Sequence, residues 1–299
     1  MDIEAVIWFA EVVNAGSFVG AARRIGQPSS NVSRRIAKLE DHLGVKLIQR
    51  TTRSLSLTQD GEALLPMARQ LTRSQYQITE WKDSLSHEPK GVLRLTAPHS
   101  FAREPLTQWL LNYRSKYPLV RIELIHSNDY LDFQDNRLDF AFRQGPLPDS
   151  SLIAKRLFSI EYGVFATPTM IRAGSELKEP NDLQRVPLIT AGSIGKVFPW
   201  RFRNTDMLPK DPALSFEDTA QCIQAAVSGL GFTYASRYEA SPFIREGCLE
   251  EVLIPFRPTP IGFHMVYPER KHRALKNETF LVAIQEELEK FGVPEGLVS

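Results

Sequence analysis

Apolar residues recur at helical spacing in the first part of the chain and then give way to short apolar runs between polar stretches. Val6, Phe9 and Val13 predict a first helix, with Asp2 placed to cap it and Asn14-Ala15-Gly16 to end it. Ser17 is placed to cap a second helix over Phe18–Arg24, where the small pair Ala21-Ala22 lets another helix cross closely. Gly26-Gln27-Pro28 makes a turn. A third helix then runs from about Ser29 to His42, its stripe of Val32, Ile36, Leu39 and Leu43 facing the first two. The other face carries Ser30, Asn31, Arg34, Arg35 and Lys38, and Gly44 stops the helix. Alternation in Val45–Arg50 and Leu55–Leu57 predicts a small hairpin, with Arg50 and Arg53 near its tip.

Thr58 can cap a long helix from Gln59 to about His87. Leu64, Leu71, Ile78 and Leu85 repeat every seven residues, with Met67 or Ala68 and Trp81 between them, a spacing that favours pairing with a second helix. Pro66 should kink this helix. Glu88-Pro89-Lys90-Gly91 marks a boundary. Beyond it, strand-like runs (Val92–Thr96, Val120–His126, Leu138–Phe142, Tyr162–Ala166, Leu188–Thr190, Gly231–Ala235, Gly262–Tyr267) alternate with helical ones near Glu104–Tyr117, Asp218–Ser228 and Ala274–Phe291. Such alternation predicts α/β subdomains with largely parallel sheets, whose ligands bind beyond the carboxyl ends of strands.

Charge sharpens the first part. Between Ser17 and Arg53 lie 8 basic residues against 2 acidic ones, in a chain whose net charge is only +1. Helix, turn, helix and basic hairpin describe a winged helix-turn-helix, which lays the N-terminal residues of its second helix against base edges in the major groove. Ser29, Ser30, Asn31 and Ser33 are the candidates for base contacts. Arg34, Lys38, Arg50 and Arg53 are the candidates for salt-dependent affinity. Composition is that of an ordinary globular protein, and no apolar run is long enough for a membrane span. The acidic N-terminus is not a secretory signal. Two cysteines, Cys222 and Cys248, make neither a disulfide framework nor a metal site, and the six histidines lack metal-ligand spacing. No GxSxG, HExxH, Walker A or dinucleotide motif is present, so no enzyme, cofactor or metal is expected.

The run from Gly16 to Gly61 resembles the DNA-binding segment of LysR-type transcriptional regulators. The matching pieces are Gly16-Ser17-Phe18, Ala21-Ala22, Ser33-Arg34 with Ile36, Leu39-Glu40, Leu43-Gly44-Val45 with Leu47, Arg50, and Leu57-Thr58 with Gly61. Ser29-Ser30 after Pro28 departs from the family's usual helix opening, and Ile48 stands where Phe is common. Downstream, Gly91-x-Leu93-Arg94, Tyr117-Pro118, Leu138-Asp139-Phe140-Ala141, Gly229-Leu230-Gly231-Phe232 and Tyr267-Pro268 resemble the family's two-lobed, periplasmic-binding-protein-like effector domain. Ser236 stands where the family usually has Pro.

The resemblance implies a winged helix-turn-helix over 1–58, a linker and dimerisation helix over 59–90, and an effector domain over 91–299. Within the last, one lobe would take about 91–162 plus 268–299 and the other about 163–267. Ser100 and Ser127-Asn128 follow strands and precede helical or loop segments, an arrangement suited to a carboxylate or other small anion. The resemblance places them in an interlobe cleft with Arg143, Thr167, Ser193 and Phe232, and His99 and Phe101 adjoin Ser100. Arg143 would need an anionic partner if buried.

The expected protein is thus a cytoplasmic homodimer or homotetramer that binds double-stranded DNA and is modulated by a small, anionic effector. Two alternatives remain at this point. One is a regulator that responds through Cys222 or Cys248 without a small ligand; the other is a solute-binding α/β domain whose N-terminal helices only dimerise.

Overall fold

The computed structural model describes residues 2–50, 55–85, 87–173, 177–193, 196–269 and 273–298. The chain divides into two compact units. One comprises Met1–Gly91 with Leu131–Leu138 and Arg270–Glu278; the other comprises Val92–Tyr130, Asp139–Glu269 and Thr279–Ser299.

In the first unit, α1 (Ile3–Asn14), α2 (Phe18–Ile25) and α3 (Ser29–Leu43) enclose a core of Val6, Phe9, Ala21, Val32, Ile36 and Leu39. The first two starts are capped as the sequence indicates: Asp2 accepts from the Glu4 and Ala5 N–H groups, and Ser17 from that of Gly20. No side chain caps α3, which begins directly after Pro28 and ends at Gly44 in the left-handed region. Leu43, expected on the buried stripe, is exposed at the helix end; buried Glu40 faces inward in its place.

The hairpin is shorter than expected, with β1 (Ile48–Arg50) antiparallel to β2 (Leu55–Leu57). Its tip, including Arg53, lies outside the described residues. Thr58 then caps α4 (Gln59–Ser84) by accepting from the Gly61 N–H at 3.0 Å. Gly61 is obligatory here, because a Cβ would collide with the Leu47 carbonyl. The helix runs on through Pro66.

The second unit holds two six-stranded sheets. After β3 (Gly91–Ala97) come a short helix, α5 (His99–Phe101), and a π-helical segment Ala102–Leu106, broken at Glu104, which leads into α6 (Thr107–Lys116). Then follow β4 (Val120–His126), β5 (Phe140–Gln144), β6 (Leu152–Ile160) and β7 (Tyr162–Ala166), and after them α7 (Pro168–Ala173) and β8 (Leu188–Ser193). The small strands β9 (Lys196–Val197), β10 (Trp200–Arg201), β11 (Asp206–Met207) and β12 (Leu214–Phe216) precede α8 (Thr219–Val227) and β13 (Phe232–Ser236). The chain closes with α9 (Arg237–Arg245), β14 (Glu250–Val252), β15 (Ile261–Pro268), α10 (Leu275–Phe291) and β16 (Leu297–Val298).

One sheet has the order β16-β6-β15-β5-β3-β4 and the other β12-β8-β13-β7-β14, with β9 on β8. The sheets depart from the sequence expectation in two ways. First, they are mixed: β3–β5, β8–β12 and β8–β13 are parallel, whereas β15 runs antiparallel to both β5 and β6, and β7 to both β13 and β14. Strand β6, whose middle is exposed Ala-Lys-Arg, lacks an apolar run to announce it. Second, the expected second lobe runs to 267, but β15 belongs to the first lobe's sheet, so the return crossing falls before Ile261.

Several of the family-like motifs turn out to be joints. Asp139, 2% exposed, accepts from the Arg94 N–H at 2.9 Å and so ties β5 to β3. Gly231 packs where a Cβ would lie 2.7 Å from the Pro187 carbonyl oxygen. Aromatic packing of Phe101, Phe142, Phe158 and Phe263 fills the first lobe. Among the described residues no helix is long and apolar enough to cross a membrane.

Candidate nucleic-acid interface and effector cleft

Along α3 the side chains sort by what holds them. Ser29, Ser30, Arg34 and Lys38 are exposed, and Asn31 and Ser33 are half-buried. The Arg34 guanidinium donates to Asn31 Oδ1 at 2.7 Å, one turn back on the same face. Arg35, its neighbour, is committed inward: it pairs with Asp2 (2.8 Å) and Glu4 (2.5 Å) and lies 4.4 Å from the Trp8 ring centroid. Glu40 joins α3 to the wing, accepting from Lys46 Nζ (2.8 Å) and from the Leu47 and Ile48 N–H groups (2.9 and 3.2 Å). Burial alone would raise its pKa; Lys46 and the two N–H groups outweigh that and hold it below the usual glutamate value. Arg50 occupies β1 opposite Leu55 through its backbone.

The heptad positions divide. Leu64 and Leu71 pack, half-buried, against the unit's own core, around fully buried Ala68. Ile78 (66% exposed), Trp81 and, just past the helix end, Leu85 (61%) face solvent. The period alone could not separate the two halves, because an apolar stripe looks the same whether its own domain or a partner covers it.

In the second unit, a cleft of about 840 Å³ lies between the two sheets' lobes. His99 and Ser100 after β3, and Ser127 and Asn128 after β4, line it together. The His99 and His126 rings meet edge to face at 5.7 Å. The second lobe contributes Arg201, Glu217, Asp218, Thr219, Tyr234 and Glu239. Tyr162 donates to Gln144 Oε1 at 2.9 Å and stacks on Tyr234 at 5.3 Å, making an aromatic wall. Burial pushes both phenols up.

The remaining expected residues have places of their own in the fold. Phe101 faces the aromatic core of the first lobe, and Phe232, 1% exposed, fills the core of the second. Thr167 caps α7 by accepting from the Met170 N–H at 3.3 Å. Ser193 ends β8, its backbone paired with Lys196.

Arg143 is 4% exposed and stands behind the cleft wall. It donates to the carbonyls of Ser127 (3.3 Å) and Phe142 (2.9 Å) and to Thr96 Oγ1 (3.1 Å), and its guanidinium carbon is 6.0 Å from the Tyr130 ring centroid. Burial lowers its pKa. Its hydrogen bonds thus go to neutral acceptors and brace the loop at Ser127, while the nearby Asp129 carboxylate favours its charged form.

Glu239 is one of the cleft residues that sequence reasoning missed. It accepts from Ser236 Oγ (2.9 Å) and Thr219 Oγ1 (3.2 Å), and pairs with Arg103 (3.3 Å), which also reaches Asp218 at 2.9 Å. Burial raises its pKa against those partners. Ser236 was the available signal: it caps α9 through the Glu239 N–H, a role Pro at that position could not fill.

The two cysteines differ in burial. Cys222 is buried among Ile189, Ile223 and Ala226, and burial with Asp218 nearby pushes its thiol up to about 11; Cys248 is half-buried and unpaired with it.

Residues 3–62 match the family described as "Bacterial regulatory helix-turn-helix protein, lysR family", and residues 86–289 match "LysR substrate binding domain". An HTH-type transcriptional repressor of Pseudomonas aeruginosa is 30% identical over 292 residues, covering 95% of this chain and 91% of its own. The regulator CrgA of Neisseria meningitidis is 29% identical over 289 residues, covering 95% and 96%. Among solved structures, the full-length Vibrio cholerae virulence activator AphB superposes with a TM-score of 0.71 at 25% identity, covering 96% of this chain and 99% of its own. Two matched domains and relatives aligned nearly end to end lead to one conclusion: the chain belongs to the LysR family of transcriptional regulators, with a DNA-binding helix-turn-helix domain and an effector-binding domain.

Proposed function

We propose that the protein is a cytoplasmic homo-oligomeric regulator in which α3 enters the major groove and Ile78, Trp81 and Leu85 pair the linker helices. The separation of Arg34 from Arg35 carries this reading: one guanidinium is locked into the fold, while its neighbour stands on the exposed polar face with Ser30, Asn31 and Lys38. Two copies would read two half-sites in successive major grooves. Arg50 and Arg53 of the wing would add phosphate contacts.

The effector that fits the cleft is a small polar molecule without net negative charge, held by hydroxyl and amide groups against the tyrosine wall. Supporting this is a lining in which, with Asp218 and Glu239 already paired to Arg103, Asp129 and Glu217 remain against Arg201, the only arginine among its described residues. In this reading Ser100, Ser127 and Asn128 orient the ligand, while Arg143 braces the wall. An effector works only through different affinity for two arrangements of the protein.

The test starts with genomic DNA fragments that the protein retains at low salt and releases at high salt. Arg34→Ala should weaken binding to such a fragment by about 1–3 kcal/mol in fluorescence anisotropy. An unchanged titration removes α3 from the interface.

A further inference from the structure

Glu11 sits on α1 inside the first unit, 5% exposed. A carboxylate at such depth is costly to bury without a good partner. Its ion-pair partner is the Arg137 guanidinium, 126 positions further along the chain and within the span that matches the effector-binding domain. Two residues earlier, Asp135 approaches Arg69 (3.4 Å) and Arg73 (3.5 Å) of α4, and Arg69 also donates to Asn14 Oδ1 at the end of α1 (3.2 Å). The Nε atoms of both arginines are buried without a hydrogen-bond acceptor, and Asp135 is a carboxylate that faces both.

The segment is built to hold this shape. Asp132 Oδ1 accepts from the Gln134 and Asp135 N–H groups at 2.8 and 2.7 Å, and the Leu138 N–H donates to the Phe133 carbonyl at 2.8 Å. Arg137 takes a φ of +52°, which a side chain bearing a Cβ adopts only when its surroundings enforce it. Leu131–Leu138 thus folds as part of the first unit, although the residues on both sides of it belong to the second. Immediately before it, Ser127–Tyr130 forms a wall of the cleft; immediately after it, Asp139 enters the joint between β3 and β5.

We propose that Leu131–Leu138 is a clasp. The effector-domain sequence supplies the counter-charges that α1 and α4 need, and the clasp carries the state of the cleft wall to the DNA-binding unit. The route is covalent and short, from Tyr130 to Asp135 and Arg137. Because coupling between two sites is reciprocal, DNA bound to the first unit must also be felt at the cleft wall. This rests on the DNA-binding reading only for that last step.

Hydrogen–deuterium exchange on the full-length protein tests both parts. Without DNA, Arg137→Gln strands the Glu11 carboxylate and should speed exchange of the amides around Glu11 at least tenfold. Glu11→Gln together with Arg137→Gln should restore protection to within about twofold of the parent. With a retained genomic fragment added, the parent should change exchange at Ser127–Tyr130, and the double variant should lose that response while still binding. Unchanged exchange around Glu11 in Arg137→Gln overturns the clasp. An undiminished response at Ser127–Tyr130 in the double variant overturns its role as a carrier. Failure of the parent to retain DNA would count against the DNA-binding reading, and the exchange comparison without DNA would still decide the clasp.

Discussion

On α3 and α4 the inward and outward faces carry residues of the same types but put them to opposite uses. Inward, Arg35 is bound by Asp2 and Glu4, Glu40 fastens the wing strand, and Leu64 and Leu71 close the core. Outward, Arg34 and Lys38 face solvent, and so do Ile78 and Leu85. Residue type therefore does not assign a role on these helices; what each side chain already holds does. The inward set should fail by unfolding, and the outward set by losing a partner while the fold stands.

The largest effect should come from Glu40→Ala. It removes the acceptor for two buried N–H groups and releases Lys46, with a loss of about 2–3 kcal/mol in chemical denaturation. DNA binding should fall with it, since the wing loses its anchor to α3. Because the folded pKa of Glu40 is depressed, this stabilisation is complete above the ordinary glutamate value. It disappears as pH falls through the lower, folded value. A parent and a Glu40→Gln variant with identical stability profiles between pH 7 and pH 3 would break the assignment of Glu40 to the inward set.

Next in size is the outward apolar end of α4. Ile78→Asp with Leu85→Asp should weaken self-association by more than tenfold in sedimentation velocity, with the melting of the first unit unchanged. Leu64→Ala should do the reverse, lowering stability by about 2–3 kcal/mol because a partly covered core residue is truncated, with self-association retained. If both changes acted on assembly alike, the division of the heptad into two halves would be wrong.

The same contrast explains what could be read from residues alone. The N-terminal unit was legible because its signals are local: Asp2, Ser17 and Thr58 cap the helices that follow them, and Gly44 ends one. Its hidden part is a matter of partners distant in sequence, such as Glu11 with Arg137. The cleft was legible only where strand ends announce it, at Ser100 and at Ser127-Asn128. That Phe232 packs into the second lobe's core could not be read, because alternation along a strand does not say which side faces a cavity. The hydrogen bonds of Arg143 could not be read for another reason: carbonyls and a hydroxyl accept from its buried guanidinium, and such neutral acceptors leave no mark in a charge count. Glu239 stayed hidden because its neighbours in the cleft come from α5, α8 and the end of β13, segments far apart in sequence.

The smallest expected effect probes the outward face most cleanly. Lys38 is one turn beyond Arg34 on α3, exposed, with a flexible ammonium that acts as a point charge and reads no base pattern. Lys38→Ala should therefore weaken binding to matched and mismatched fragments alike. Deleting one lysine–phosphate pair means that about one fewer counterion is released on binding, so the slope of log affinity against log salt should become shallower by about 1 per bound protomer. Arg34→Ala should change the slope too, but should also reduce the difference between matched and mismatched fragments, because a guanidinium can bridge two acceptors on one base. Anisotropy titrations of both variants at a series of salt concentrations separate the two behaviours. If Lys38→Ala altered fragment preference while Arg34→Ala altered only the slope, the order of the two residues along the groove would be reversed. The base-reading end of α3 would then lie one turn further from Pro28 than its exposed N-terminal polar face implies.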